Sequence, residues 1–263
     1  MQEVPVLKGE AEPAKPDSSG LLAKASPETS AMTLFIYDGT SVRLYYMFDS
    51  EKEREILDDL SSVKAEPAED WSAKDASLPV YGIEIGREDG LSLVAAWTNG
   101  RWIAQDGSVY QFDYDFEALK QRKEWESAGE LPSFTNFPCA RVFTQEKDKW
   151  NTRFLVPAAP LNPPSGITMM LDSWDKDIAA VTINNESGGE WSCGEFYELQ
   201  VLIDGVWYEI PAMPGNWGFN CMGFYIPDGG KQSMINHLTM YGELPSGTYR
   251  LVIKELSAEH VIP

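Results

Sequence analysis

Glu243-Leu244-Pro245-Ser246-Gly247-Thr248-Tyr249-Arg250-Leu251-Val252-Ile253 reads as a turn that feeds a strand. Pro245 fixes φ and Gly247 frees it, so the chain can reverse here. After the turn the side chains alternate. Tyr249, Leu251 and Ile253 share one face, Arg250 and Lys254 the other. A tyrosine that enters a late strand after such a corner marks sandwich folds. Its ring joins the core and its hydroxyl bonds to backbone a few residues upstream. The plainer reading is an ordinary strand after an ordinary turn.

Working back from this corner, short β-rich runs recur between turn residues. Ile167–Leu171, Ala179–Asn184, Phe196–Ile203, Val206–Ile210, Met234–Tyr241 and Tyr249–Leu256 read as strands of one all-β sandwich over residues 166–263. The third alternates cleanly, with Tyr197, Leu199, Val201 and Ile203 inward and Glu198 and Gln200 outward. Ahead of it, Pro157-Ala158-Ala159-Pro160-Leu161-Asn162-Pro163-Pro164 carries four prolines in eight residues. Such a run sustains neither helix nor central strand and reads as a stiff spacer.

Residues 31–157 read as an α+β domain with an antiparallel sheet and two helices. Asp38-Gly39 joins the runs Thr33–Tyr37 and Ser41–Met47 as a hairpin. Ser50-x-x-Glu53 is a capping-box pattern, and Ile56, Leu57, Leu60 and Val63 follow at helical spacing. Asp89-Gly90, Asn99-Gly100 and Asp106-Gly107 divide residues 80–112 into a meander. A second helix is expected from Phe116 to about Glu126, capped by Asp113 or Asp115. Ala140–Phe143 and Thr152–Val156 are expected to pair as strands. Residues 1–30, rich in Ala, Pro, Glu, Lys and Ser without periodicity, read as a flexible stalk.

The 263 residues carry a formal net charge of −20. That charge repels nucleic acid phosphates and anionic lipid at long range, so no nucleic acid partner is expected. Its plainest role is solubility, and a charged partner would be basic or a cation. No apolar run approaches the roughly 20 residues of a membrane helix. The stalk suggests an exported protein whose leader has been removed, with a membrane tether upstream; a cytoplasmic protein with a disordered arm is the other reading.

The second half resembles a bacterial immunoglobulin-like domain of Gram-positive surface lipoproteins. The same kind of domain occurs outside the membrane in relatives of antibiotic-sensor metallopeptidases. The resemblance rests on Val181-Thr182-Ile183-Asn184-Asn185, on Ile203-Asp204-Gly205-Val206-Trp207 and on the run from Tyr241 to Arg250, and spans roughly residues 166–257. It implies an exported, cell-surface lipoprotein and carries no active site. Residues 32–157 resemble no family.

Chemistry is sparse. The chain has 2 His and 3 Cys, without Cys-x-x-Cys. His237 falls in an expected strand and His260 in an expected frayed tail. Cys139 has no activating motif and reads as a small buried hydrophobe. Cys193 and Cys221 both fall in the sandwich, and a bridge between them is one option. Asp172, Asp175 and Asp177 have the look of a calcium loop but lack EF-hand spacing. A nucleophile elbow and phosphate-binding glycine patterns are absent. No cofactor, metal or catalytic residue is expected.

The most unusual stretch is Pro214 to Tyr225, with four aromatics and three glycines. It reads either as a loop folded over the open end of the sandwich or as a recognition surface. On the second reading Asn216, Trp217, Phe219 and Tyr225 would contact a sugar or peptide. The expectation is therefore a non-enzymatic binding or sensing module for a surface protein, peptide or glycan. Its rivals are an enzyme with a site in residues 32–157 and a carbohydrate-binding protein acting through residues 214–225.

Overall fold

The computed structural model describes residues 22, 32–68, 71–86, 92–104, 106–213, 218–219 and 221–263. Within them the chain is mostly β, with antiparallel sheets and three helices. The stalk expected over residues 1–30 lies outside the described residues except for Leu22, which is buried in the first core. The expected Asp89-Gly90 turn also lies outside them.

The first sheet is built from β1 (Met32–Tyr37), β2 (Val42–Met47), β3 (Glu66–Pro67), β4 (Val80–Gly86), β5 (Ser92–Thr98), β6 (Arg101–Ala104), β7 (Val109–Gln111) and β8 (Glu126–Leu131). Its order is β3-β7-β6-β5-β4-β1-β2-β8. Asn99 and Gly100, at φ 48° and 70°, make the expected tight turn between β5 and β6. The sheet is covered on both faces. Leu34, Ile36, Ile83 and Ile85 meet Ile56, Leu60, Phe116 and Leu119 of two helices, α1 (Ser50–Ser62) and α2 (Phe116–Lys120). Phe35, Val80, Ala96 and Ile103 face Phe134, Phe137, Phe143 and Phe154. Gly82 lets this second layer approach, because a Cβ there would stand 2.9 Å from Pro138.

Several local expectations give way to tertiary context. The α1 cap is Asp49, whose carboxylate accepts from the amides of Glu51 and Lys52 at 3.1 and 3.2 Å, and not Ser50. Glu53 is turned inward instead, 2% exposed, and accepts from the Met32 amide at 3.0 Å. The second helix is only five residues long. The Trp125 indole donates to the Leu119 carbonyl at 2.9 Å and takes up an acceptor that another helical turn would need. Glu126–Leu131 then pairs with the open edge of β2. Ala140–Thr144 is a helix, α3, because Cys139 reverses the chain at φ 57° and Phe143 is buried among the other phenylalanines. The hairpin nearby is smaller than expected: β9 (Gln145–Glu146) with β10 (Lys149–Trp150).

The remaining strands form the sandwich. β11 (Val156–Pro157), which ends on the first residue of the expected spacer, already pairs with it. There follow β12 (Ile167–Trp174), β13 (Ile178–Asn185), β14 (Trp191–Gly194), β15 (Glu198–Ile203), β16 (Val206–Glu209), β17 (Gly223–Ile226), β18 (Lys231–His237), β19 (Gly247–Ile253) and β20 (Leu256–Ile262). One sheet runs β11-β16-β15-β19-β20, a second β12-β13-β18, and β14 with β17 makes a ribbon. Val181, Ile183 and Met234 of the second sheet pack with Leu199, Val201, Leu251 and Ile253 of the first. Gln200 does lie on the outer face, yet it is 2% exposed. It accepts from the Arg250 Nε at 2.7 Å, and that guanidinium lies 4.3 Å from the Trp207 ring centroid. The expected strand Tyr249–Leu256 is a hairpin that turns at Lys254, φ 56°. His260 is therefore no frayed tail. It sits in β20 and stacks on Trp174 of β12 at 4.9 Å.

The corner is as expected. The Tyr249 ring is fully buried and its hydroxyl donates to the Pro245 carbonyl. Sequence reasoning did not foresee its second partner. The Trp150 indole donates to the same hydroxyl at 3.0 Å. Arg141 of α3 lies 4.3 Å over the Trp150 ring and donates to the carbonyls of Tyr241 and Glu243 at 2.9 and 3.1 Å. Burial without a facing carboxylate pushes its pKa down to about 10.

Candidate functional site

The ribbon β14–β17 stands off from β18 and leaves a groove of about 690 Å³. Tyr197, Met234, Asn236 and Met240 line it together with Phe219 and Phe224. Tyr197 is held in place by its hydroxyl, which donates to the His237 carbonyl at 2.5 Å and contacts the Met240 Sδ at 3.5 Å. Burial pushes the Tyr197 phenol up. Phe219 meets Phe196 and Tyr197 edge-on, both at 5.1 Å between centroids. Asn236 is 1% exposed and donates to the Ala179 carbonyl at 3.2 Å.

The groove's rim is β18 itself. The Asn185 amide donates to the Gly230 carbonyl and the Leu238 amide to the Asp177 carbonyl, at 3.0 and 2.7 Å. These two bonds bracket the register Asn184↔Lys231 to Ile178↔His237. In an antiparallel ladder the paired residues alternate. Gln232, Met234 and Asn236 therefore turn their backbone groups to β13, and Ser233, Ile235 and His237 turn theirs to the groove. Among the described residues no strand pairs with that edge. Ile235 is 66% exposed, and Phe196, whose ring meets Phe219, is exposed as well.

The four residues singled out from the sequence fare unequally. Phe219 lines the groove but spends its ring on Phe196 and Tyr197. Tyr225, 71% exposed, projects from the opposite face of β17 to Phe224. Asn216 and Trp217 lie outside the described residues. The sequence reading missed Phe224, Tyr197 and Met240, because strand alternation marks them only as core.

Other candidates resolve into structure. The cysteines are free: Cys193 is buried and Cys221 exposed. Cys139 is 3% exposed and its thiol, near the Val94 and Ile103 carbonyls, is pushed up to about 12 by burial. Asp172 accepts from the Thr182 hydroxyl at 2.7 Å, while Asp175 accepts from the amides of Asp177 and Ile178, both at 2.8 Å. Among the described residues no three His, Cys, Asp or Glu stand together as a metal site. Nor is any helix there long and apolar enough to cross a membrane.

Residues 167–261 match the family model of a bacterial Ig-like domain. The match covers all of β12 to β19 and most of β20, so both the groove and the corner belong to the Ig-like domain. It points to a surface-associated domain. Residues before 167 match no family, and neither the curated proteins nor the solved structures contain a match to the chain.

Proposed function

We propose that the protein is an exported, surface-tethered, non-enzymatic binding module whose Ig-like domain holds its ligand in the groove beside β18. One observation carries this reading. A strand edge that no described strand pairs with and an apolar hollow of about 690 Å³ lie side by side, the first offering backbone hydrogen bonds and the second side-chain contact. Surface association of Ig-like domains supports the location. The aromatic residues expected to bind contribute through Phe219, and residues 216 and 217 adjoin it in sequence.

The test is a thermal-shift screen of the full chain against extended peptides and soluble glycans. A ligand at 100 times its Kd stabilises the native state by about 2.7 kcal/mol, a rise of roughly 5–10 °C in Tm. Phe224→Ala, which opens the groove wall, should abolish the rise. A saturable ligand that still binds Phe224→Ala and Phe219→Ala with unchanged affinity would place the site elsewhere. Turnover of any screened compound would refute the non-enzymatic reading.

A further inference from the structure

We propose that the β18 edge is a strand-addition site for an extended peptide segment of basic character. This rests on the groove being the ligand site and names the ligand's class and pose. The first ground is backbone accounting. Ser233, Ile235 and His237 point amides and carbonyls into the groove, and among the described residues the partners of these groups are Tyr197, on the His237 carbonyl, and the Gln232 side chain, on the Ser233 carbonyl. A partner strand would satisfy the remainder.

The second ground is the contrast with the other sandwich edges. Proteins block bare edges with proline, bulges or a covering element. β11 ends in Pro157. β12 carries a bulge at Asp172, between Leu171 and Ser173, and β20 lies alongside it with His260 on Trp174. β18 has no proline and no bulge: its seven residues keep unbroken register with β13, and among the described residues no strand covers its other edge.

The third ground is side-chain and charge fit. In an added strand every second side chain would point to the groove floor, at Tyr197, Met234 and Met240, and those must be apolar. The remaining side chains lie on the outer face, where Ser233 adjoins Thr182 with its partner Asp172 and Lys231 opens β18, while the groove lining includes Glu195 and neither Lys nor Arg, on a chain of net charge −20. That field favours basic residues and disfavours a second copy of the chain as the added strand.

The probe is a blocked heptapeptide alternating Lys and Val, titrated against the full chain by fluorescence anisotropy. Expected results are saturable binding that weakens with salt, and at least tenfold weaker binding of the Glu/Val peptide. Two N-methylated versions follow, one blocking the amides of each phase. One should lose at least tenfold and the other bind like the parent. Ile235→Pro removes an edge amide without touching the β13 ladder and should also lose at least tenfold. Hydrogen exchange at the Ser233, Ile235 and His237 amides should slow on binding. Equal binding by both N-methylated peptides overturns the proposal without any question of variant folding. So does preference for the acidic peptide, or absence of binding by the Lys/Val peptide. A glycan that binds and depends on Phe224, with no peptide binding, overturns strand addition while leaving the groove as the ligand site.

Discussion

Replacing Tyr249 by Phe removes one oxygen and strands two partners. The ring is fully buried, so the core contacts survive the change. The Pro245 carbonyl loses its donor in a buried place, at about 1–3 kcal/mol. The Trp150 indole, half-buried, loses its acceptor at 3.0 Å and adds about 1 kcal/mol. The sum is about 2–4 kcal/mol, or roughly 4–16 °C in Tm for a chain of this size. Urea unfolding of the full chain, followed by far-ultraviolet circular dichroism, reads it directly. Trp150→Phe supplies the second arm of a double-mutant cycle. Once the hydroxyl is gone, removing the indole N–H deletes an orphan and should cost little, so the pair should be non-additive by about 1 kcal/mol or more. Tyr249→Ala removes the ring as well and should cost about 3–5 kcal/mol. If Tyr249→Phe unfolds with the parent midpoint, neither bond is stabilising and the argument from buried partners fails. Full additivity with Trp150→Phe would show that the indole does not depend on the hydroxyl.

Two further outcomes follow from buried polar groups. Asn185, fully buried, donates to the Gly189 and Ile226 carbonyls at 2.7 and 2.8 Å and accepts from the Ser187 amide and hydroxyl at 3.0 and 2.7 Å. Asn185→Ala should cost about 2–4 kcal/mol in urea, and Asn185→Asp more at neutral pH, since a carboxylate cannot donate to either carbonyl. Burial raises the Glu53 pKa against the opposing Met32 amide bond. Its contribution is therefore fully present below the ordinary glutamate value and is lost as pH rises through the raised one. Glu53→Gln keeps an acceptor for Met32 and does not titrate. Its stability relative to the parent should rise between pH 4 and pH 7; a fall over that range in Tm would contradict the burial argument.

What the sequence by itself determined was local. Asp204-Gly205 and Asn99-Gly100 both turn at positive φ, as their residue types require. Period-two alternation located most strands, and Leu-Pro-x-Gly-x-Tyr located the corner, because the acceptor Pro245 lies only four residues from Tyr249. Everything that needed a distant partner was decided by the tertiary structure. Val and Phe favour strands, yet Ala140–Thr144 is helical because Phe143 finds its core that way. Glu126–Leu131 follows a helical signal and became a strand, since the open edge of β2 supplies hydrogen bonds that only the assembled sheet can offer. Ser50-x-x-Glu53 has the spacing of a cap, but Glu53 serves Met32, 21 residues away. Trp150 and Arg141 reach the corner from about a hundred residues upstream. The groove is likewise a product of assembly. Tyr197, Phe224, Met234 and Met240 come from separate elements, and each looks in sequence like one more core residue. Only the edge of β18, which no described strand pairs with, makes them a candidate site, because whether a backbone amide is paired depends on what stands beside it in space.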